Sequence, residues 1–388
     1  MSRKLRIGIN LRIGNLLVFD GNSAVMRSIA RALSVCSSGH QIDLIVDAPA
    51  ALPLPPEGSA NFHVVRPFPA FNRLLRRALG GDPWYRLRLP LDRRWRKLDA
   101  YVCNAHEEPP VIHGPPRIPI VHDLAFMLDE AENYFSRAHI DYLDWCTSAN
   151  VHAAARIVAV SETTARDVIR TYGVPAGKVR VLLNSHDDEV FNANIDGDNV
   201  AATLAELDIR GPFFLHVGTI QPRKNLPTVI RAFEAFAAGG GDHQLLLVGA
   251  QGWRAEKAAD NGLPDLDSVK GVRLLGSLAT EQIAHLMTAA DALVMAGFYE
   301  GFGLPALEAM ACGTPVLAAN AGALPEVVGD AGILFDPNDL DELTALMARI
   351  ASDPDQRSQL GHRALARATG FSRDSQARGL SALAEEIA

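Results

Sequence analysis

The chain has 388 residues, 48% of them hydrophobic and 21% charged, and 45 Asp and Glu against 37 Lys and Arg give a formal charge of −8. That length exceeds one core and points to two or three domains. The composition excludes disorder as the default, and the acidic balance argues against nucleic acid as a partner.

Short β-rich runs alternate with helical patterns along the chain. Leu5–Ile9 reads as a strand, and Ser23–Leu33 as a helix with Val25, Met26, Ile29, Ala30 and Leu33 on one face, capped by Asn22 or Ser23. Strands are expected at 42–46, 101–103, 118–121 and 157–160, with a helix at 138–155. Ser161 opens a further helix that Gly173 closes, with Pro175 just beyond. The stretch 185–211 reads as polar and irregular. Strands then follow at 213–217, 245–248, 272–275, 292–295, 315–318 and 333–335. They alternate with helices at 227–238, 281–289 (capped by Thr280), 304–311 and 340–350 (capped by Asp339). A last helix is expected at 375–387. Alternation of this kind, with Val/Ile/Leu-rich strands, predicts α/β architecture: two doubly wound parallel-sheet domains, with a ligand held at the carboxyl ends of the strands in the cleft between them.

Three segments carry chemistry. In the first, Ala296-Gly-Phe-Tyr-Glu300-Gly-Phe-Gly-Leu-Pro-Ala-Leu-Glu308, a buried strand runs into a glycine-bearing loop and Pro305 sits in the first turn of a helix. Gly301, Phe302, Gly303 and Leu304 form a turn whose free N–H groups suit an anion. Glu308, one turn into the helix, can accept hydrogen bonds from a ribose diol, and Glu300 can bind hydroxyls of a second ring. In the second, His216-Val-Gly218-Thr219-Ile-Gln-Pro222-Arg223-Lys224-Asn, a strand leads into a helix through a loop with two cations suited to a departing diphosphate. In the third, Val121-His122-Asp123, a histidine stands at a strand end, with Asp123 placed either to orient the ring or to cap the next turn.

These strings resemble the retaining glycosyltransferase family four, which has the GT-B fold. The resemblance is strongest from about Phe213 to Phe335 and weakest before Pro119. It implies an N-terminal acceptor domain (1–198), a C-terminal nucleotide-sugar donor domain (199–370) and a C-terminal helix (371–388) returning to the first. It implies transfer of a hexose, leaning to mannose from GDP-mannose, with retention and without a metal or other cofactor. Glu300, His122, Lys224 and Arg223 take the catalytic positions. Glu308, Gly218, Thr219 and the 301–304 turn hold the donor. Gly21 and Asn22 correspond to a phosphate or acceptor loop of which one glycine remains. The chain departs from the family at Thr219, where Arg is frequent, and at Ala296-Gly297, where Pro-Ser is usual. It also has Ser185 in place of a glycine in the interdomain Asn184–Phe191 segment. The alternatives are a GT-B nucleotide-sugar epimerase and a non-catalytic subunit of a glycan-assembly complex.

The start, Met1–Asn10, shows no leader-like apolar stretch, no run of about 18 apolar residues occurs, and Cys36, Cys103, Cys146 and Cys312 are too scattered for a metal motif. A cytoplasmic protein with reduced thiols is expected. Residues 66–97 reverse the local sign: ten basic residues from Arg66 to Lys97 oppose Asp82 and Asp92, with Phe68, Phe71, Trp84, Tyr85 and Trp95 interleaved. This stretch could dock peripherally on anionic lipid at the inner face of a membrane, or hold a polyprenyl-pyrophosphate-linked acceptor. Its bland reading is a solvated face with the aromatics in the core.

Overall fold

The structure, a computed structural model, describes residues 4–11, 21–36, 39–46, 60–64, 89, 92–106, 114–250 and 269–388. Contacts divide the chain into two units. The first takes Met1–Met127, Arg137–Ser185 and Arg373–Ala388; the second takes Leu128–Ser136 and His186–Ser372.

The first unit is built on a seven-stranded parallel sheet, in the order β3-β2-β1-β4-β5-β6-β7. The strands are β1 (Arg6–Asn10), β2 (Gln41–Val46), β3 (Ala60–Val64), β4 (Ala100–Asn104), β5 (Arg117–Val121), β6 (Ile157–Ala159) and β7 (Val179–Val181). Apolar runs such as Ile118, Ile120 and Val121 are fully buried, as a sheet covered on both faces requires. Helix α1 (Gly21–Cys36) buries Val25, Met26, Ile29, Ala30 and Leu33 together. It starts at Gly21, before either expected cap. Helix α12 (Arg373–Ile387) lies against α1. Arg156 Nε donates to Glu386 of that helix at 3.0 Å, and His40 Nε2 stands 3.2 Å from Glu385. The remaining helices are α3 (Arg137–Ala153) and α4 (Glu162–Tyr172). Ser161 Oγ accepts the Thr164 amide at 3.0 Å and Gly173 closes α4 at φ 63°.

The second unit has a six-stranded parallel sheet in the order β10-β9-β8-β11-β12-β13. Its strands are β8 (Phe213–Val217), β9 (Gln244–Val248), β10 (Val272–Gly276), β11 (Ala292–Met295), β12 (Val316–Ala319) and β13 (Ile333–Phe335). Around them lie α2 (Ala131–Tyr134), α5 (Gly197–Glu206), α6 (Leu226–Ala238), α7 (Thr280–Ala289), α8 (Leu304–Ala311), α9 (Leu324–Val328), α10 (Leu340–Ser352) and α11 (Pro354–Ala368). Phe214, Phe233 and Phe236 form an aromatic group in its core. Asp339 caps α10 by accepting the Glu342 amide at 2.8 Å.

Three readings of the sequence are corrected. The stretch 185–211 is not wholly irregular, because α5 lies inside it with Asp196 as its cap; few of its residues are large and apolar, so its stripe has little contrast. Helix α11 was not foreseen, since its buried face includes Gly361, Ala364 and Ala368. Thr280 is the first residue of α7 rather than its cap. The Gln282 side chain reaches back to accept the Ala279 amide at 3.2 Å.

In both sheets the strand order reverses beside the first strand, between β1 and β4 and between β8 and β11. Loops leaving those neighbouring strand ends diverge and open a crevice. In the second unit the loops after β8 and β9 make a close backbone approach. A side chain on Gly249 (φ 152°), just after β9, would meet the Gly218 carbonyl oxygen at 2.0 Å. Gly240 also has positive φ (98°), but a side chain there would meet nothing within 4 Å. Gly249→Ala should cost about 3 kcal/mol of stability and Gly240→Ala about 1 kcal/mol, measured by urea unfolding. Equal losses would mean that the approach of the two backbones carries no constraint.

Candidate active site

The loop after β8 leaves through Gly218 and Thr219, both half-buried, into a single helical turn, Pro222–Lys224. Asn225 then takes the left-handed conformation (φ 54°) and starts α6. Its side chain pins the turn: Nδ2 donates to the Pro337 carbonyl at 2.8 Å, and Oδ1 accepts the Thr228 hydroxyl at 2.8 Å. The neighbouring loop, 296–303, is tied to this turn where the Phe298 amide donates to the Arg223 carbonyl at 3.0 Å. Helix α2 packs on the same turn.

The two loops bring three charged groups together. Lys224 Nζ donates to Glu300 Oε1 at 2.5 Å. Arg223 Nη1 stands 3.3 Å from Glu300 Oε2 and donates to the Tyr299 carbonyl at 3.0 Å, while its Nε donates to Gln221 at 3.1 Å. The Glu300 side chain is 8% exposed, that of Lys224 10% and that of Arg223 15%. Two cations meet one carboxylate in a place with little water, where charge acts strongly. Gly297 explains how the carboxylate fits. A side chain there would begin 3.0 Å from Glu300 Oε1 and 3.3 Å from the Arg223 carbonyl. The departure from Pro-Ser therefore leaves room for the carboxylate.

His216, on β8, stands beside this group. Its Nδ1 is 3.0 Å from the Val294 carbonyl, so Nδ1 carries the proton and donates. Nε2 is then an acceptor, buried and without a partner among the described residues. Burial lowers its pKa to about 4, opposed by the Val294 bond and Glu300 and aided by Lys224. An unpartnered buried acceptor costs about 1–3 kcal/mol. His216 stands inside a quoted motif, but sequence reasoning gave it no role. The available signal was its place two residues before the loop glycine.

The 301–304 turn leads into α8 with Gly303 at φ 92° and Pro305 in the first turn. Glu308, on that helix, is half-buried; burial raises its carboxyl to a pKa of about 8, with Asp187 adding to the rise. Asp187 belongs to the interdomain Asn184–Phe191 segment, to which the sequence alone assigns no chemistry.

In the first unit, His122 follows β5 and is buried, and its Nε2 has no partner among the described residues. Burial lowers its pKa to about 3, aided by His106 and opposed by Asp123. The His122 amide donates to His106 Nε2 at 3.3 Å. His106 must therefore carry its proton on Nδ1, which donates to Thr147 Oγ1 at 2.9 Å, and that hydroxyl donates to the Leu143 carbonyl at 2.7 Å. His106 is neutral too, with burial lowering its pKa to about 4. Nothing in the sequence pointed to it. Asp123 takes the capping role, accepting the Ala125 amide at 3.0 Å. Gly21 and Asn22 are the first residues of α1, and the loop before them lies outside the described residues. So does most of 66–97. Of its aromatics only Trp95 is described, and it is in the core against Tyr101, with ring centroids 4.6 Å apart. No described helix is long and apolar enough to cross a membrane, and no three His, Cys, Asp or Glu among the described residues are grouped to hold a metal ion.

Two family models match the chain: Glycosyltransferase Family 4 over residues 19–190, and Glycosyl transferases group 1 over residues 205–367. The chain is 31% identical over 297 residues to the O-antigen chain mannosyltransferase B of Escherichia coli, covering 74% of this chain and 75% of that one. It is 29% identical over 211 residues to the MMP alpha-(1->4)-mannosyltransferase of Mycolicibacterium hassiacum, covering 53% of this chain and 47% of that one. In structure it is similar to sucrose-phosphate synthase from Thermosynechococcus elongatus, with a TM-score of 0.73, 21% identity and 99% of both chains covered.

Removing only the negative charge would leave Lys224 and Arg223 repelling each other. Glu300→Gln should lower stability by about 3 kcal/mol, read from chemical denaturation. An unchanged midpoint would mean that solvent already screens the two cations.

Proposed function

The chain belongs to glycosyltransferase family 4 and has the GT-B fold, and on that premise we propose that it transfers mannose from GDP-mannose, with retention at the anomeric carbon and without a metal ion, to a glycan or polyprenyl-pyrophosphate-linked acceptor. At the coarser level it is a glycosyltransferase acting between a nucleotide-diphosphate sugar and a glycan or lipid acceptor. The observation that carries the proposal is the meeting of Lys224, Arg223 and Glu300 at the carboxyl ends of β8 and β11. The lean to mannose is supported by the O-antigen chain mannosyltransferase B likeness.

In this reading the donor diphosphate lies on Arg223, Lys224 and the N–H groups of the 301–304 turn, with Gly218 and Thr219 beneath it. Hexose hydroxyls donate to Glu300. As they do, they share its negative charge, and the two cations turn their remaining N–H bonds toward the leaving group. The acceptor hydroxyl attacks the anomeric carbon from the face the diphosphate leaves; its proton passes to a donor phosphate oxygen. Positioning and fixed charge supply the rate. His122, neutral because it is buried, offers an acceptor nitrogen to a sugar hydroxyl. Glu308 holds the ribose.

Glu308 gives this reading a pH signature. With a pKa of about 8 instead of the ordinary 4.5, its carboxyl is protonated at pH 7. Accepting two ribose hydroxyls needs the carboxylate, so nucleotide binding should release that proton and tighten as pH rises through 8. Calorimetry with GDP, UDP, dTDP and ADP, with and without chelator, should single out GDP and show no loss on chelation. Glu308→Gln should bind GDP more weakly and lose the pH slope. A strict requirement for a divalent ion would overturn the cation-clamp mechanism; preference for another base would overturn GDP-mannose as the donor.

A further inference from the structure

His216 has no part in the reaction above, although it ends in the same small space as Lys224. Its Nε2 and the Lys224 Nζ each stand 3.7 Å from the point where a side chain on Gly218 would begin. The glycine (φ 155°) leaves that space open. We propose that His216 is a positioning residue for the Lys224 ammonium, its Nε2 accepting one N–H bond while the others are given to Glu300 and to the diphosphate of a bound donor. The inference rests on the donor-binding reading and deepens it.

The chemistry of the partners favours this pairing. Val294 presents a carbonyl, which only accepts, so the imidazole proton is fixed on Nδ1 and the lone pair on Nε2. The ring is 1% exposed and cannot turn to water for a donor. An ammonium has three N–H donors and no acceptor. Glu300 is shared between Lys224 and Arg223, and a donor's hydroxyls would draw on the same oxygens. When Lys224 swings toward a phosphate it needs an acceptor behind it that does not cancel its charge. A second carboxylate would neutralise the clamp; a neutral imidazole nitrogen holds the ammonium and leaves its full charge for the diphosphate. Burial keeps that ring neutral, outweighing the Val294 bond and Glu300, which favour the charged form, while Lys224 acts with the burial.

Two substitutions separate this role from simple support of the strand. Asn places an N–H₂ where Nδ1 stands, keeping the Val294 bond, and has nothing at the Nε2 position. Gln reaches the Nε2 position with an acceptor and gives up the Val294 bond. GDP, UDP, dTDP and ADP are titrated calorimetrically into wild type, His216→Asn, His216→Gln and His216→Leu, with melting temperatures measured alongside. The Gln form should bind the preferred nucleotide within about threefold of wild type and the Asn and Leu forms about tenfold more weakly, a one-hydrogen-bond effect. Melting should rank the other way, with Asn above Gln. In a Lys224→Ala background the Asn and Gln forms should bind alike. If Asn keeps wild-type affinity, or affinity simply follows melting temperature, His216 is a structural prop and the inference is overturned. If wild type binds none of the four nucleotides, the donor reading falls and this inference with it.

Discussion

One carboxylate shared by two cations organises the second unit. Glu300 is useful to the fold only if Lys224 and Arg223 arrive from a loop 76 residues earlier in sequence, and they arrive because the strand order reverses between β8 and β11. The glycine at 249 lets one backbone lie against another, Asn225 locks the turn, and Gly297 leaves the carboxylate its space. None of these residues is charged. Each fixes where the charges stand, which decides what an enclosed ion pair is worth.

The same physics sorts the histidines. His106, His122 and His216 are all buried, and burial keeps each ring uncharged. At Lys224 and Arg223 positive charge survives enclosure because a carboxylate meets it. These enclosed groups are thus of two kinds: side-chain cations paired with a carboxylate, and neutral imidazoles with a lone pair to accept with. Hydrogen bonds to the other ring nitrogen set the tautomer at His106 and at His216.

Much of the fold was legible because parallel strands covered on both faces need continuous apolar runs, and β9, β11 and β12 have them. The helix starts at Ser161 and Asp339 and the helix end at Gly173 were also readable, since each acts through a local backbone bond. Helices α5 and α11 were not, because small side chains give a weak stripe. At the site, Lys224, Arg223 and Glu300 could be picked out since their spacing with glycine and proline is local. His106 could not, because its bond to the His122 amide joins residues that only the sheet makes neighbours. The value of Gly297 was equally hidden: a missing side chain announces itself only when the atoms that use the space are in place.

The chain passes between its two units after Met127, Ser136, Ser185 and Ser372, and the nine residues Leu128–Ser136 sit with the second unit although both their neighbours belong to the first. That short excursion carries α2, which rests on the Pro222–Lys224 turn. Neither half can thus be excised as an uninterrupted piece of gene. A fragment beginning at His186 would lack the segment bearing on its own cation loop, and one ending at Ser185 would lose the helix that covers α1. Recombination that exchanges whole halves with a homologue must carry these borrowed segments along, which ties the inheritance of one half's loop to sequence encoded within the other.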